Sequence, residues 1–295
     1  MKKVLNGLIW ITAKIAGRKN LERLLIYTAK KLNVNLHQHA LLQIGVGTGV
    51  YLENGSEIFF IKNILARQFG LNDHPLFFDV GANVGNFSIG LKKNIAQAAI
   101  YAFEPVKNTY EILKTNISDD VKACNIGFGK LPGKGRLYNV LNTSVSEIAT
   151  AHKDVLFDVF NCQDEIEEIV FEIDTVDHFC LANNIENIDF LKIDVEGNEL
   201  DVLQGAENMI KNNAVKIIQF EFNTHNIYSR VFLRDFYLFL KNFEFYRLVK
   251  NGMLSLGEYN PVNELFTAQN IIAVHESVLP KLSGEYIYST TKAAN

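Results

Sequence analysis

The chain has 295 residues, 48% of them hydrophobic, so it can bury one large core or one core with a small appendage, and its composition is not that of a fibrous or disordered protein. Its three cysteines are widely spaced and form no Cys-x-x-Cys pair, which argues against a disulfide framework or a structural zinc site and favours a reducing, cytoplasmic compartment. The net charge is −4, but residues 1–31 carry eight Lys or Arg and one Glu, a charge of +7, which leaves −11 on the remainder.

The first 40 residues are predicted to form a basic helical extension. Apolar residues recur at helical spacing from Val4 to Ile15, and a second helix is predicted over residues 20–32. Lys14 interrupts the apolar run, which is shorter than the ~20 residues needed to span a bilayer. Two interpretations stay open: the extension packs on the following domain or on a partner subunit, or residues 1–31 make a peripheral membrane contact in which lysines face anionic lipid.

The main domain is predicted to cover residues 41–282. It opens with a strand predicted from Leu41 to Val46, and a helix with one apolar face is predicted from Glu57 to Phe69. Residues 283–295 are polar and are predicted to form a loose tail.

The stretch from Leu76 to Ser88 predicts a buried strand, a tight turn and a helix. The strand ends in Asp79, a predicted cofactor-binding residue whose carboxylate can hold a positive centre, and Gly81 and Gly85 let the backbone take positive φ or pass close to a ligand. Asn83 lies between these glycines and is included with them as a predicted cofactor-binding residue. The spacing Asp-x-Gly-x-x-x-Gly differs from the Gly-x-Gly-x-x-Gly fingerprint, so a dinucleotide cofactor is disfavoured.

The next predicted strand, residues 98–103, ends in Glu104. This carboxylate follows the glycine turn by about 20 residues, a placement that suits bidentate hydrogen bonding to a ribose diol. Asn125, near the end of a third strand predicted over residues 121–126, is expected to approach the adenine. The Asp79 turn followed by Glu104 resembles the S-adenosylmethionine-dependent methyltransferases of the Rossmann-like class, and this resemblance implies S-adenosyl-L-methionine as the cofactor.

A glycine-rich connection then leads into an edge strand predicted around residues 136–140. Residues 142–164 show little periodicity and predict a loop or insertion that covers the acceptor site. A half-exposed strand is predicted over residues 168–173, and Asp174 or Thr175 is expected to cap the helix behind it.

A block at the end of the fourth core strand indicates a narrower family. The strand predicted over residues 188–194 runs into Lys192-Ile193-Asp194-Val195-Glu196-Gly197, and an amphipathic helix follows. Together with Thr175-Val176-Asp177 and Gln219-Phe220-Glu221-Phe222, this block resembles the FkbM-type methyltransferases, and the resemblance extends from about residue 45 to residue 274. It implies O-methylation of a hydroxyl on a sugar, a polysaccharide or a secondary metabolite.

The predicted fold is therefore α/β, of the Rossmann-like class I methyltransferase type, with a doubly wound, mostly parallel sheet and an antiparallel edge strand. The later elements fit this architecture. They are a fifth strand over residues 215–222, a helix over 230–242, and a terminal pair of strands over 245–249 and 270–274, with a turn at Asn251-Gly252.

Asp79, Glu104, Asp194 and Glu221 all fall at predicted strand ends, where ligands of open α/β sheets bind. Methyl transfer to a hydroxyl requires that the oxygen be aligned with the methyl group and that a proton be removed. These carboxylates are thus expected to line one cleft.

The candidates for the proton acceptor are Asp194, Glu196, Glu221 and His225. Asp194 could equally cap a helix or orient Lys192. A divalent metal held by Asp194, Glu221 and Asn223 is a less favoured alternative, and no metal ligand is assigned.

Other classes of function compete with methyl transfer. A nucleotide-sugar oxidoreductase would need the dinucleotide fingerprint that the chain lacks, while a binding module that keeps the cofactor pocket without turnover stays open. The acidic main domain offers no basic groove that would follow phosphates, so a small-molecule or glycan acceptor is expected and nucleic acid is not.

Overall fold

The computed structural model describes residues 17–44, 46, 55–141 and 149–289, in two compact units, Met1–Gly47 and Thr48–Asn295. The first unit contains α1 (Arg18–Lys31) and α2 (Leu36–Ile44), so the predicted strand from Leu41 to Val46 is wrong. Asn35 explains the difference, because its side-chain oxygen accepts a hydrogen bond from Gln38 N at 3.1 Å and so caps a helix. None of the helices among the described residues is long and apolar enough to cross a membrane.

The second unit is built on two sheets. Within the described residues the main sheet has nine strands: β1 (Leu76–Val80), β2 (Ala99–Phe103), β3 (Val121–Cys124), β7 (Ile188–Ile193), β8 (Val215–Glu221), β9 (Phe243–Val249), β10 (Gly252–Ser255), β11 (Asn270–His275) and β12 (Ile287–Ser289). A small sheet, inserted in the chain between β3 and β7, contains β4 (Gly127–Phe128), β5 (Gly133–Val140) and β6 (Ile166–Asp174).

Helices connect most of these strands. They are α3 (Ser56–Phe59), which continues as a π-helical segment (Phe60–Leu65) into α4 (Ala66–Gln68), then α5 (Asn86–Asn94), α6 (Lys107–Asn116), α7 (Lys153–Asp158), α8 (Val176–Ala182), α9 (Glu199–Gln204), α10 (Glu207–Lys211), α11 (His225–Ser229) and α12 (Leu233–Phe239). Short 3-10 turns occur at Pro261–Asn263, Leu279–Lys281 and Gly284–Tyr286.

The strand order of the main sheet is β12-β10-β9-β11-β8-β7-β1-β2-β3. Strands β3, β2, β1, β7 and β8 pair in parallel, whereas β11 is antiparallel to both of its neighbours, β8 and β9. This confirms the Rossmann-like, mostly parallel sheet. Strand β11 lies inside the sheet, because β9, β10 and β12 extend the sheet beyond it. The edge strand β12 also runs antiparallel to β8, since it is parallel to β10, which is antiparallel to β9.

The core covers both faces of the sheet, as expected for a doubly wound fold. All six residues of β7 are buried, the near-continuous burial typical of a central parallel strand. Phe77 and Phe190 belong to one hydrophobic cluster, while the alternate residues Phe78 and Leu191 belong to another. Asp79 follows Phe78 and therefore lies on the same face as Phe77.

Local signals account for several element boundaries. Thr175 caps α8 as predicted, because its hydroxyl accepts a hydrogen bond from His178 N at 3.1 Å. The helix predicted from residue 230 instead begins at Leu233, since Arg230 has a φ of +57° that ends α11. Helix α7 lies within the predicted loop 142–164, of which residues 142–148 lie outside the described part of the chain. The predicted domain boundary at residue 40 stays a prediction, and α2 spans it.

Candidate active site

The turn after β1 requires glycine at position 81. Gly81 has a φ of +80°, and a Cβ atom there would lie 1.8 Å from the backbone oxygen of Asp194. The Gly81 and Ala82 amides both donate to the Phe103 carbonyl oxygen, at 3.0 and 2.9 Å. The turn therefore lies between the ends of β2 and β7. Its backbone approaches the backbone of Asp194 so closely that only glycine, which has no Cβ atom, fits at position 81.

Gly85, the second glycine of the turn, has a φ of +92° and directly precedes α5. A Cβ atom on it would meet Leu113 of α6 at 2.8 Å. Its role in the structure is close helix packing, while its predicted contact with a cofactor stays a prediction.

Asp79 is fully buried beneath the turn. One carboxylate oxygen accepts a hydrogen bond from Ser88 Oγ at 2.7 Å, and the other lies 3.5 Å from Lys192 Nζ. These partners lie on α5 and β7. A contribution of Asp79 to cofactor binding would thus be indirect, through the position of Lys192 and of the turn, rather than the direct contact expected from its place at the strand end.

Glu104 is buried at the end of β2 and holds the turn through both of its carboxylate oxygens. Oε2 accepts from the Asn83 amide at 3.0 Å and Oε1 accepts from the Val106 amide at 2.8 Å. Burial raises the pKa of Glu104 to about 7, although the two amide hydrogen bonds oppose this rise. Each oxygen keeps a further lone pair for a ligand hydroxyl.

Asn125 supports the loop after Glu104. Its amide nitrogen donates to the carbonyl oxygens of Glu104 and Pro105, both at 2.9 Å. The side chain therefore fixes the backbone next to the cavity, and its amide oxygen is the atom left for a ligand such as adenine.

A buried ion pair lies at the end of β7. Lys192 Nζ is 3.1 Å from Asp194 Oδ2, and Lys192 is opposite Asp79 in the register of β1 and β7. Burial alone would lower the pKa of Lys192, but the carboxylates of Asp194, Asp79 and Glu57 raise it above its ordinary value. Lys192 is thus a fixed cation that holds Asp194 in place.

Glu196 and His225 form a charge pair, with His225 Nδ1 2.6 Å from Glu196 Oε2. Glu196 takes the left-handed conformation, with φ +58°, in a turn that Glu199 Oε1 holds by accepting from the Val195 and Gly197 amides at 3.2 and 3.0 Å. Burial raises the pKa of Glu196, and His225 opposes this rise. Burial also acts to lower the pKa of His225, but Glu196 outweighs it and the pKa is raised.

Glu57 was not identified from the sequence. It extends from α3 towards β8, where Gln219 Nε2 donates to its Oε1 at 2.5 Å, and burial raises its pKa to about 7. A carboxylate within a helix whose other face is apolar is the signal that could have indicated a buried, functional acid.

Glu221 and Asn223 lie together, because Asn223 Nδ2 donates to Glu221 Oε2 at 2.6 Å. The Asn223 side-chain oxygen accepts from the His225 amide at 2.7 Å, so it is already used by the protein. Burial, together with the charges of Asp194 and Glu196, raises the pKa of Glu221 well above its ordinary value. Among the described residues, no group of three or more His, Cys, Asp or Glu side chains is arranged to hold a metal ion.

A cavity of about 280 Å³ lies between the main sheet and the small sheet. Its lining includes Glu104, Glu196 and Phe171. Phe171, on β6, packs so closely on Gly127 and Gly135 that a Cβ atom on either glycine would lie 2.6 or 2.5 Å from its ring. These glycines were predicted only as turn residues, and they instead make room for one wall of the cavity.

A second cavity of about 320 Å³ lies on the other side of the Gly81 turn. It is lined by Glu57, Lys192 and Glu221, among others. The two cavities share Gly81, Asn83 and Asp194. An elongated ligand that crosses the Gly81 turn would therefore reach both of them.

The sequence matches a known domain family. A model described as the methyltransferase FkbM domain matches residues 79–246, which is more than half of the chain. The chain is 30% identical over 161 residues to "Methyltransferase sdnD" of Sordaria araneosa and 26% identical over 153 residues to "Methyltransferase 1" of Beauveria bassiana (strain ARSEF 2860). Each match covers 46% of this chain, and the matches span 62% and 60% of the two relatives.

Solved methyltransferase structures are also similar to the chain, at low levels. A methyltransferase FkbM from Methylobacillus flagellatus KT has 13% identity and a TM-score of 0.39, with 68% of this chain and 44% of that chain covered. TrmK of M. capricolum, solved with S-adenosyl-homocysteine, has 12% identity and a TM-score of 0.34, with 77% and 70% covered. Similarities of this size do not support a conclusion about substrate.

Proposed function

Because the chain belongs to the FkbM methyltransferase family, we propose that it transfers a methyl group from S-adenosylmethionine to a hydroxyl of a sugar, a polysaccharide or a secondary metabolite. The observation that carries this proposal is the pair of cavities that meet at Gly81 and Asp194, with Glu104 in one of them. The predicted family resemblance is confirmed by the family match, whereas the choice of acceptor is part of the proposal.

The first cavity suits the adenosine part of the cofactor. Glu104 can accept from both ribose hydroxyls, because each of its oxygens uses only one lone pair on a backbone amide. Phe171 and Ile173 of the small sheet offer apolar surface for a purine. Asn125 holds the adjacent backbone and keeps its side-chain oxygen for the adenine amino group.

The second cavity suits the amino-acid part of the cofactor. Its carboxyl groups, Glu57, Asp194 and Glu221, outnumber Lys192. A bound ammonium would favour the ionised forms of Glu57 and Glu221, whose pKa values are raised in the free protein, so the lining suits a cationic group. Asn83 and Asp194 line both cavities, which makes them the residues that would lie beside the middle of the bound cofactor.

S-adenosylmethionine supplies an electrophilic methyl group on a sulfonium, a leaving group that needs little help from the protein. The protein must then orient the acceptor hydroxyl and take its proton. We assign the proton to Nε2 of His225, because Nδ1 of this ring faces Glu196 at 2.6 Å and Glu196 lines the first cavity. A carboxylate on one ring nitrogen fixes the orientation of the imidazole and stabilises the cation that forms on proton uptake. The carboxylate of Asp194 is already paired with Lys192, whose Nζ lies 3.1 Å away, so we do not assign the proton to it.

The binding part of this proposal can be tested without a known acceptor. S-adenosylhomocysteine should bind the purified protein in calorimetry, and Glu104→Gln should weaken the affinity by roughly 10- to 100-fold, since hydrogen bonds to a charged group are worth about 1.5–3 kcal/mol. Glu258→Gln, an exposed carboxylate in the same unit, is the matched control and should bind as the wild type does. A folded wild-type protein without affinity for this ligand would refute the proposed cofactor.

The chemistry can be tested with methyl-labelled S-adenosylmethionine and a panel of glycans and hydroxylated metabolites. His225→Gln should bind S-adenosylhomocysteine normally and lose roughly 10²–10⁴-fold in turnover, the usual contribution of a positioned base. Full turnover in His225→Gln would refute His225 as the proton acceptor and would leave Asp194 and Glu196 as the candidates.

A further inference from the structure

Helix α1 has two chemically distinct sides. At about 100° per residue, Lys19, Arg23 and Lys30 lie within an arc of roughly 40° on the helix surface. Leu24 and Leu25 lie on the opposite side. The helix is therefore amphipathic, with an apolar side and a basic side that also carries Ile26.

The apolar side of α1 is not buried. Leu24 and Leu25 are each 57% exposed, and Leu32, which follows the last turn on the same side, is 74% exposed. Single exposed leucines are ordinary on protein surfaces, but three on one side of one helix form a patch that calls for a partner.

The charge of α1 indicates which partner. Lys19, Arg23, Lys30 and Lys31 are all exposed, and Glu22 is the acidic residue of the helix sequence. A second copy of the chain could cover the apolar side, but it would leave the basic side without an opposite charge. An anionic surface with an apolar interior satisfies both sides of the helix.

We propose that α1 binds the surface of an anionic lipid bilayer. The helix lies in the plane of the membrane, with Leu24, Leu25 and Leu32 inserted at the boundary of the acyl chains. Lys31 lies at the edge of the apolar side, and its long stem lets the ammonium reach the headgroups. The remaining basic residues interact with anionic headgroups across less than a Debye length, which is about 10 Å at 0.1 M salt. This inference does not depend on the proposed methyl transfer.

The test uses the full chain and vesicles that sediment. The protein should pellet with phosphatidylcholine vesicles that contain about 30% phosphatidylserine, much less with pure phosphatidylcholine, and should be released as salt rises. Arg23→Glu/Lys30→Glu should lower the partition coefficient by at least about 25-fold, because each basic residue near an anionic surface contributes roughly fivefold. Leu24→Ser/Leu25→Ser should also abolish pelleting, since it removes the inserted apolar area.

Matched controls lie in the second unit. Lys241→Glu/Lys250→Glu makes the same change of charge at exposed positions, and Leu131→Ser/Leu181→Ser removes leucines that are 71% and 78% exposed. Both controls should pellet like the wild type. Equal pelleting on neutral and anionic vesicles, or no pelleting, would overturn the proposal.

Two measurements identify the competing occupants of the apolar side. A dimer in sedimentation equilibrium that Leu24→Ser/Leu25→Ser dissociates, without vesicle binding, would assign the patch to a second copy. A lower melting temperature of the second unit in the same variant, again without vesicle binding, would assign it to the rest of the chain. Either result would refute lipid as the partner.

Discussion

Replacing Gly81 by alanine tests the central feature of the site, the close approach of the turn after β1 to the end of β7. The added methyl group would start 1.8 Å from the Asp194 backbone oxygen, whereas real contacts of a Cβ atom are longer than 3.0 Å. This oxygen cannot easily move away, because the amide of Asp194 donates to the Val80 carbonyl at 2.9 Å and so ties β7 to β1. The substitution must therefore displace the turn.

Two costs add up in Gly81→Ala. The left-handed backbone, with φ +80°, costs an alanine about 1–2 kcal/mol. Overpacking typically costs about 1–3 kcal/mol more, and the upper part of this range applies because the obstacle is backbone. We expect a loss of roughly 3–5 kcal/mol in the free energy of unfolding, together with weaker binding of S-adenosylhomocysteine, since Asn83 and the Glu104 hydrogen bond move with the turn.

Gly257→Ala is the matched control. Gly257 also has a positive φ, +60°, but a Cβ atom there meets no atom within 4 Å, so only the backbone strain of about 1–2 kcal/mol should appear. Urea unfolding measures the loss of stability in both variants, provided that the slope of the free energy of unfolding against urea concentration is unchanged. Calorimetry measures their affinities for S-adenosylhomocysteine. Equal losses of stability in the two variants, with equal affinities, would refute the close approach of Gly81 and Asp194.

Two further predictions depend on titrating groups of the site. The affinity for S-adenosylhomocysteine should fall by up to about tenfold per pH unit as the pH drops below about 7, because the ribose hydroxyls require the ionised Glu104, whose pKa in the free protein is raised to about 7. The pKa of His225, measured by NMR from its ring protons, should be lower in Glu196→Gln, because the negative charge that raises it is removed. Once an acceptor is known, the low-pH limb of kcat/KM should shift to lower pH in the same variant, since the base then loses its proton more readily.

Each of these predictions has a result that contradicts it. In Glu104→Gln the affinity for S-adenosylhomocysteine should no longer fall as the pH drops below about 7. If the affinity still falls in this variant, the titrating group is instead Glu57 or Glu199, whose pKa values are also raised to about 7 by burial. For the pair, a His225 pKa that is unchanged in Glu196→Gln would mean that the two side chains do not interact in solution.

Much of this fold could be predicted from the sequence, because its signals are local. The apolar run before Asp79 and the glycines after it predicted the first strand, turn and helix, and the structure has them as β1, the Gly81 turn and α5. Thr175 indicated the start of a helix, because a threonine hydroxyl can accept a hydrogen bond from the backbone amide three residues later in the chain, as it does from His178 N. Such patterns depend on neighbouring residues alone, so they are readable without knowledge of the remaining chain.

The arrangement of the site depended instead on the tertiary structure. Glu57 meets Gln219 across 162 residues, and the partner of Glu196 is His225, on a different helix. Asp79 and Glu104 both stand at strand ends and both are buried, but Glu104 lines the first cavity, whereas Asp79 lies beneath the turn with Ser88 of α5 and Lys192 of β7 as its partners. Nor did any local signal place β11 between β8 and β9. Burial, charge pairing and strand order arise from contacts between distant segments, and these exist only once the whole sheet has formed.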